Sequence, residues 1–354
     1  MTDPKRVLIF HTAFPGDLVL TVPMVEAVHS AFPAALISIV VVPSAAGLLL
    51  HHPAVHELIV YDKRGSDRGL TALLRLGKRL RDLHIDIALV PHRSLRSAVA
   101  VRLARIPRRI GFSTSAGRLL MTDVVRYVRD AHEVQRNLSL LGPLGITSGG
   151  YPLPRLYPDD EDRRVVDRIV AREAGPVVVL APGSKWNTKR WPPEYFSALG
   201  RMLAERGISV VLIGGKEDSA LCAGIASEMG GNRVVNTAGR LTLLQSAEVI
   251  RRSTLLVSND SAPVHLGVAM RTPVLALFGP TVPAFGFAPI GEHDEVLQQE
   301  GLSCRPCSIH GGARCPIGTF ACMRQLTPDR VLERILPRLH LSHEEKRDGP
   351  APER

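Results

Sequence analysis

The sequence predicts an α/β chain built as two doubly wound halves, and three observations carry that prediction. Short apolar runs alternate with segments of helical period, the pattern of parallel strands joined by crossover helices. The pattern occurs twice along the 354 residues. Between the copies lies the stretch 149–158, where Pro152, Pro154 and Pro158 mark a linker. With 45% hydrophobic residues the chain can bury two cores of ordinary size.

In the first half, strands are expected near 7–10, 36–42, 57–60, 85–90 and 109–112. In the second they are expected near 177–180, 209–213, 234–236, 255–257 and 274–278. The segment containing Leu70, Leu73, Leu74 and Leu80 reads as a helix whose Arg75, Lys78, Arg79 and Arg81 form a solvated face. Near the end, Val331, Leu332, Ile335 and Leu339 fall at helical spacing. The charged, Pro-containing tail 342–354 is expected to be disordered.

Three strand exits carry the chemistry. The run Leu255-Leu256-Val257 leads into Asn259, Asp260 and Ser261, all good helix caps, with Pro263 suited to the first turn and His265 one turn on. A helix N-terminus of this kind is an anion site, and Asp260 beside it can hold sugar hydroxyls. The run 176–180 ends in the loop 181–192, whose Ser184, Lys185, Lys189 and Arg190 suit a diphosphate at the carboxyl edge of a parallel sheet. The first strand ends in His11-Thr12-Ala13-Phe14-Pro15-Gly16-Asp17, where Gly16 permits a tight turn and Asp17, at a helix start, is an ionised carboxylate able to accept a proton. Each has a plainer reading, a capping Asp or a structural His among them.

In order and spacing these segments resemble glycosyltransferase family 9, the ADP-heptose–lipopolysaccharide heptosyltransferases. The resemblance runs over roughly residues 6 to 335. It rests on Gly16-Asp17 with Thr21-Val22-Pro23, the Lys189-Arg190-Trp191-Pro192 loop, Ser258-Asn259-Asp260-Ser261 with Pro263 and His265, and the strand and exit loop 273–281. One departure is Ala262, where family members usually carry Gly.

The resemblance implies the GT-B architecture, two Rossmann-like domains facing a central cleft. The N-terminal domain, 1–155, would bind the acceptor and the C-terminal domain, 156–327, the nucleotide sugar. A terminal helix, 328–341, would pack back on the N-terminal domain. It further implies an inverting transfer of heptose from ADP-heptose to a lipopolysaccharide inner-core acceptor. Asp17 would be the general base, while Lys189, Ser184 and the helix N-terminus at Ser261-Ala262 stabilise the departing ADP. Asp260 would fix sugar hydroxyls, and His265 would contact phosphate or orient Asp260. Asp218, in the loop 214–218, would lie near the ribose, with Leu241 and Thr242 lining the adenine pocket. No catalytic metal is called for, because the chain shows no Asp-x-Asp pair of the kind that bridges magnesium to a nucleotide sugar. A transferase of this family with a protein or another glycan as acceptor is the alternative within the class. A nicotinamide-dependent oxidoreductase is the alternative outside it, and the Gly-x-Gly-x-x-Gly fingerprint it needs does not follow the first strand.

The net charge of +10 is concentrated, since residues 62–109 hold 13 Lys or Arg against 4 Asp or Glu. Nucleic acid fits poorly, for want of interleaved aromatics, zinc-finger spacing or a helix-turn-helix pattern. An anionic glycolipid or membrane surface fits better, through Lys63, Arg64, Arg68, Arg93 and Arg96 near strand ends. The longest apolar stretch, 36–50, is broken by Pro43 and falls short of the ~20 residues of a membrane span. With no secretory signal recognisable, a cytoplasmic protein is expected, peripheral to the inner membrane.

Of five cysteines, Cys222 sits alone in a helical segment and reads as a small buried hydrophobe. Cys304, Cys307, Cys315 and Cys322 crowd into a Gly- and Pro-rich stretch, 304–322, similar to insertions in heptosyltransferase II-like sequences. Four thiols so spaced can close a tetrahedral site for structural zinc or iron, the alternative being free thiols that pack a compact loop.

Overall fold

A computed structural model describes residues 3–147, 149–170 and 175–340. The chain forms two compact units, Met1–Tyr157 and Pro158–Arg354, divided within the Pro-rich linker two residues beyond the boundary expected there. The tail 342–354 lies outside the described residues.

The first unit has six parallel strands, β1 (Arg6–Phe10), β2 (Leu36–Val41), β3 (Glu57–Val60), β4 (Ile87–Val90), β5 (Arg108–Phe112) and β6 (Asp123–Val125), in the order β3-β2-β1-β4-β5-β6. Central β1 pairs with β2 on one side and β4 on the other, Val7 lying level with Ile37 and Ile87. Both faces are covered. Leu8, Phe10, Val40 and Val90 pack with Leu73, Leu76 and Leu80 of the helix Gly69–Asp82, while Val7, Ile9, Ile37 and Ile39 are buried as well. Burial on both faces is why these strands read as continuous apolar runs.

The second unit repeats the topology with β7 (Val177–Ala181), β8 (Ser209–Leu212), β9 (Val234–Asn236), β10 (Leu255–Asn259), β11 (Val274–Phe278) and β12 (Glu295–Gln298), in the order β12-β11-β10-β7-β8-β9. Counted from its own first strand, each sheet therefore has the order 3-2-1-4-5-6 of a doubly wound nucleotide-binding fold. In such a sheet ligands lie beyond the carboxyl ends of the two strands where the winding reverses, here β1 and β4, and β7 and β10.

The helix Gly69–Asp82 forms as expected, while two other expectations need correction. Leu70 and Leu74 are 68% and 49% exposed, because the inward stripe of their helix runs through Leu73, Leu76 and Leu80; Arg75 and Lys78 are solvated as expected. The C-terminal helix Pro328–Ile335 was expected on the N-terminal domain. Its Val331, Leu332 and Ile335 instead enter the second unit's own core, beside Phe196 and Leu199 of the helix Pro193–Ala204. The buried Trp191, donating from Nε1 to the Leu326 carbonyl at 2.7 Å, fastens the approach to that helix. Strand β10 runs two residues further than its apolar stretch, through Ser258 and Asn259. Asn259 takes the Trp191 N–H at 2.9 Å and donates to the Pro182 carbonyl at 2.8 Å, so its amide is satisfied inside the sheet.

Candidate active site

At the carboxyl end of β10 the chain turns through Asp260 and Ser261 into the helix Ala262–Ala269. None of the expected side-chain caps forms. Ser261 holds the N-cap position without a capping bond and donates instead to the Gly183 carbonyl at 3.2 Å, while Asn259 is occupied as above. The reason is geometric: these side chains tie β10 to the loop after β7 and so are turned away from the helix start.

Across that junction the Lys189 ammonium meets the Asp260 carboxylate at 2.6 Å, the side chains 13% and 8% exposed. Thr281, buried at the exit of β11, donates its hydroxyl to the same carboxylate oxygen at 2.6 Å. Sequence reading gave Lys189 and Asp260 separate tasks and passed over Thr281. In the fold they are one hydrogen-bonded cluster, whose only sequence signal was that all three follow adjacent strands.

The other expected donor residues group around this cluster with differing roles. Ser184 is buried and its carbonyl takes Arg190 Nε at 2.7 Å; Lys185 is exposed and lies over the Trp186 ring. His265 is buried one turn into the helix. Asp218 accepts the Gly215 N–H at 3.1 Å, and a Cβ at Gly183 would come within 2.3 Å of its carboxylate, so glycine is what lets these two loops meet. Burial, with Glu217 nearby, pushes the Asp218 carboxyl up. Leu241 is half-buried, and Thr242 caps the helix Leu243–Arg252 by accepting the Gln245 N–H.

In the first unit Asp17 stands at the third position of the short helix Pro15–Val19, partly exposed, its carboxylate accepting the Phe14 N–H at 3.3 Å. The capping role is therefore real. Beside this turn, beyond β1, β3 and β4, lies a group that sequence reading missed apart from Lys63. Lys63 Nζ donates to the Thr12 carbonyl at 2.5 Å and its hydroxyl at 3.2 Å, and His92 Nδ1 lies 3.5 Å from that hydroxyl. Burial lowers the His11 pKa to about 3 and the His92 pKa to about 4, so both rings are neutral at pH 7. Burial also lowers the Lys63 pKa, helped by Arg64 and Arg96.

The remaining basic residues divide. Arg64, Arg68 and Arg93 are exposed, Arg64 over the Phe14 ring and Arg93 over that of Tyr127. Arg96, expected to meet the acceptor, ties the helix Leu95–Leu103 to the loop after β3: Nε donates to the Tyr61 hydroxyl at 2.6 Å and Nη2 to the carbonyls of Asp67 and Gly69 at 2.9 Å.

Of the cysteines, Cys222 is fully buried as expected, its thiol pushed up to about 12 by burial. Cys322 is also buried, on the helix Ala321–Arg324 rather than in the loop. A cavity of ≈ 160 Å³ lies among Cys307, Cys315, Cys322 and Thr188. Burial opposes ionisation of Cys315, but the N–H groups of Phe320, Ile317, Gly318 and Thr319 outweigh it and lower the pKa. The chemistry of this donor set fits a thiophilic ion, while among the described residues no three of the sulfurs lie within 4.8 Å of one another. A closed site would require the thiols to draw closer together.

Two sheets of this order are the two Rossmann-like halves of the GT-B architecture, and lysine, aspartate and a helix start without an N-cap side-chain bond meet at the carboxyl edge of the second. The model of glycosyltransferase family 9 (heptosyltransferase) matches residues 73–312, and the chain belongs to that family. It is a glycosyltransferase. Lipopolysaccharide heptosyltransferase 2 of Escherichia coli K12 is 26% identical over 343 residues, 93% of this chain and 97% of the relative. The crystal structure of a family 9 glycosyltransferase from Veillonella parvula superposes with a TM-score of 0.84 at 24% identity, covering 96% of this chain and 98% of the other. That of the ADP-heptose heptosyltransferase II of E. coli gives 0.78 at 24% identity, covering 94% and 98%. Among the described residues no helix is long and apolar enough to cross a membrane.

Proposed function

We propose that this chain transfers a heptose from ADP-heptose to an acceptor in the lipopolysaccharide inner core, with inversion at the anomeric carbon. The observation that carries the reading is the Lys189–Asp260–Thr281 cluster at the foot of an uncapped helix. It joins a buried cation for a diphosphate to a carboxylate for sugar hydroxyls at one strand junction. Membership of family 9 supports the heptosyl donor, and the E. coli relatives carry both ADP-heptose and lipopolysaccharide in their names.

In the reaction the acceptor hydroxyl gives its proton to the Asp17 carboxylate as its oxygen bonds to the anomeric carbon. The bond from that carbon to the diphosphate oxygen breaks, and the electron pair leaves with ADP. Lys189 and the N–H groups at Ser261-Ala262 face the charge that grows on the diphosphate, with Ser184 and His265 beside them. Asp260 turns from Lys189 to the sugar hydroxyls. Asp218 takes the ribose, while Leu241 and Thr242 flank the adenine. Lys63, Arg64, Arg68 and Arg93 meet the acidic acceptor, and their face rests against the cytoplasmic surface of the inner membrane.

Incubation with ADP-heptose and defined truncated lipopolysaccharide acceptors, followed by mass spectrometry, tests the reading. The expected product is heavier by one heptose on a lipid-linked core acceptor. Transfer confined to a protein or to another glycan would favour the alternative acceptor.

We also propose that Cys304, Cys307, Cys315 and Cys322 hold one structural zinc or iron. Protein purified without chelator should contain close to one such ion per chain, and Cys304→Ser or Cys322→Ser should lose both the ion and thermal stability. Metal-free native protein of full stability, with all four thiols titratable, would sink this proposal.

A further inference from the structure

The cysteine-rich loop does more than fold beside the Lys189–Asp260 cluster, for it closes a ring of contacts around it. From one side, Thr188 donates its backbone N–H and its hydroxyl to the Gly312 carbonyl, both at 3.1 Å, and the hydroxyl accepts the Gly312 N–H at 2.7 Å. Gly311 next to it has φ +86°, and a Cβ there would stand 3.1 Å from the Thr188 hydroxyl and 3.2 Å from Lys189 Cγ. From the other side, Arg305 Nη2 donates to the Thr281 carbonyl at 2.7 Å, and the Cys307 N–H to that of Pro280 at 3.0 Å. Thr281 is the residue whose hydroxyl holds Asp260. The ring therefore runs from Lys189 to Asp260, Thr281 and Arg305, along the loop to Gly312, and back through Thr188.

We propose that the cysteine-rich loop is the positioning element of the donor site, fixing Lys189 through the Thr188–Gly312 bonds and Asp260 through the Arg305–Thr281 bond. This rests on the reading of Lys189 and Asp260 as donor ligands. Thr188 and Thr281 are both almost fully buried, so neither contact is loosened by competing water. Groups that must meet a diphosphate lose affinity when shifted by a fraction of an ångström, even when the protein remains folded. On this view the loop acts on donor affinity as well as on stability.

Thr188→Val keeps the shape and removes the hydroxyl that both donates to and accepts from Gly312. ADP affinity, read by calorimetry, should weaken about tenfold, the equivalent of one to two buried hydrogen bonds. The melting temperature should move by only a few degrees, and Thr188→Ser should return ADP affinity to within about twofold of the native value. Lys189→Ala serves as the parallel control. If Lys189→Ala weakens ADP binding while Thr188→Val leaves it within about twofold, the positioning role is overturned and the donor site stands. If neither changes it, both fall. Should Thr188→Val fold poorly, Arg305→Lys is read in the same assay, and native ADP affinity in that variant counts equally against the proposal.

Discussion

The two units share one strand order, yet equivalent positions at their carboxyl edges hold opposite chemistry. After β10 in the second unit stands Asp260, which pairs with Lys189 from the loop after β7. After β4, the equivalent strand of the first unit, stands His92, neutral and close to Thr12 from the loop after β1. The lysine at the first unit's carboxyl edge, Lys63, rests on a hydroxyl and a carbonyl, with the cations Arg64 and Arg96 for neighbours. One edge thus pairs its lysine with a carboxylate, while at the other edge Lys63 has, among the described residues, no carboxylate within ion-pair distance, and Asp17 accepts the Phe14 N–H. A shared topology fixes where ligands lie, and the exit residues decide which ligand is suited. A self-balanced pair suits a donor that exchanges partners with it; an unbalanced cation suits an anionic acceptor.

The largest expected effect tests that division of labour. Asp17→Asn should lower turnover by about 100-fold or more and leave ADP affinity nearly unchanged, since the proposed function assigns the base to the first unit and the donor to the second. Steady-state rates beside ADP calorimetry make the check. Turnover near that of the native protein would leave Asp17 with its observed cap to Phe14 and no part in the chemistry.

How much of this was readable beforehand differs between interior and edge. Ten strands announced themselves as apolar runs, and for β1, β2, β4, β7, β8, β10 and β11 that run reflects near-complete burial. The two that did not, β6 and β12, are edge strands like β3 and β9, paired only to β5 and β11, but unlike those they begin on an acidic residue and hold at most two apolar residues in a row. Partly exposed there, they carry Asp123, Glu295 and Gln298 and show no apolar run. The site shows the same limit. Lys189, Asp260 and Asp17 were legible as residues at strand exits. That Lys189 and Asp260 bond to each other, that Thr281 completes the cluster, and that Arg96 turns inward to Tyr61 depend on contacts between residues far apart in sequence. Periodicity and local spacing carry no record of such contacts.

The next effect sharpens the comparison through stability. Removing one partner of a buried ion pair strands the other, so Lys189→Met should cost about 3–5 kcal/mol in addition to weakening donor binding. Lys63→Met removes a cation that, among the described residues, pairs with no carboxylate, and it relieves a charge already disfavoured by burial, so its cost should be far smaller. Denaturant unfolding of the two variants decides the matter. Equal losses would mean that the two edges are balanced in the same way after all.

The smallest effect is one of sign. In the first unit His11, His52 and His92 have pKa values lowered from 6.5 to about 3, 4 and 4, burial being the main cause for each. Below pH 6.5 the unfolded chain binds protons that the folded unit refuses, so stability is lost as pH falls from 6.5 towards 4. Burial raises the pKa of Glu133 in the same unit, which opposes the three histidines with a single group. In the second unit Asp294 is raised from 3.8 to about 6, again chiefly by burial. Between those values the folded unit holds a proton that the unfolded chain has released, so stability falls as pH rises through that window and grows as pH is lowered. Asp123 and Glu248 are shifted downward, against the effect of burial, by their bonds to Arg108 and to Arg251 and Arg252, so each contributes stability that is lost as pH falls. From pH 7 to pH 5, therefore, amides of β1 should lose protection from hydrogen exchange, once corrected for the intrinsic rate. The Val274 amide, which donates to Asp294 at 2.9 Å, should hold or gain it. Parallel loss in both units would show that the contrast at their edges does not extend to how the two sheets respond to protons.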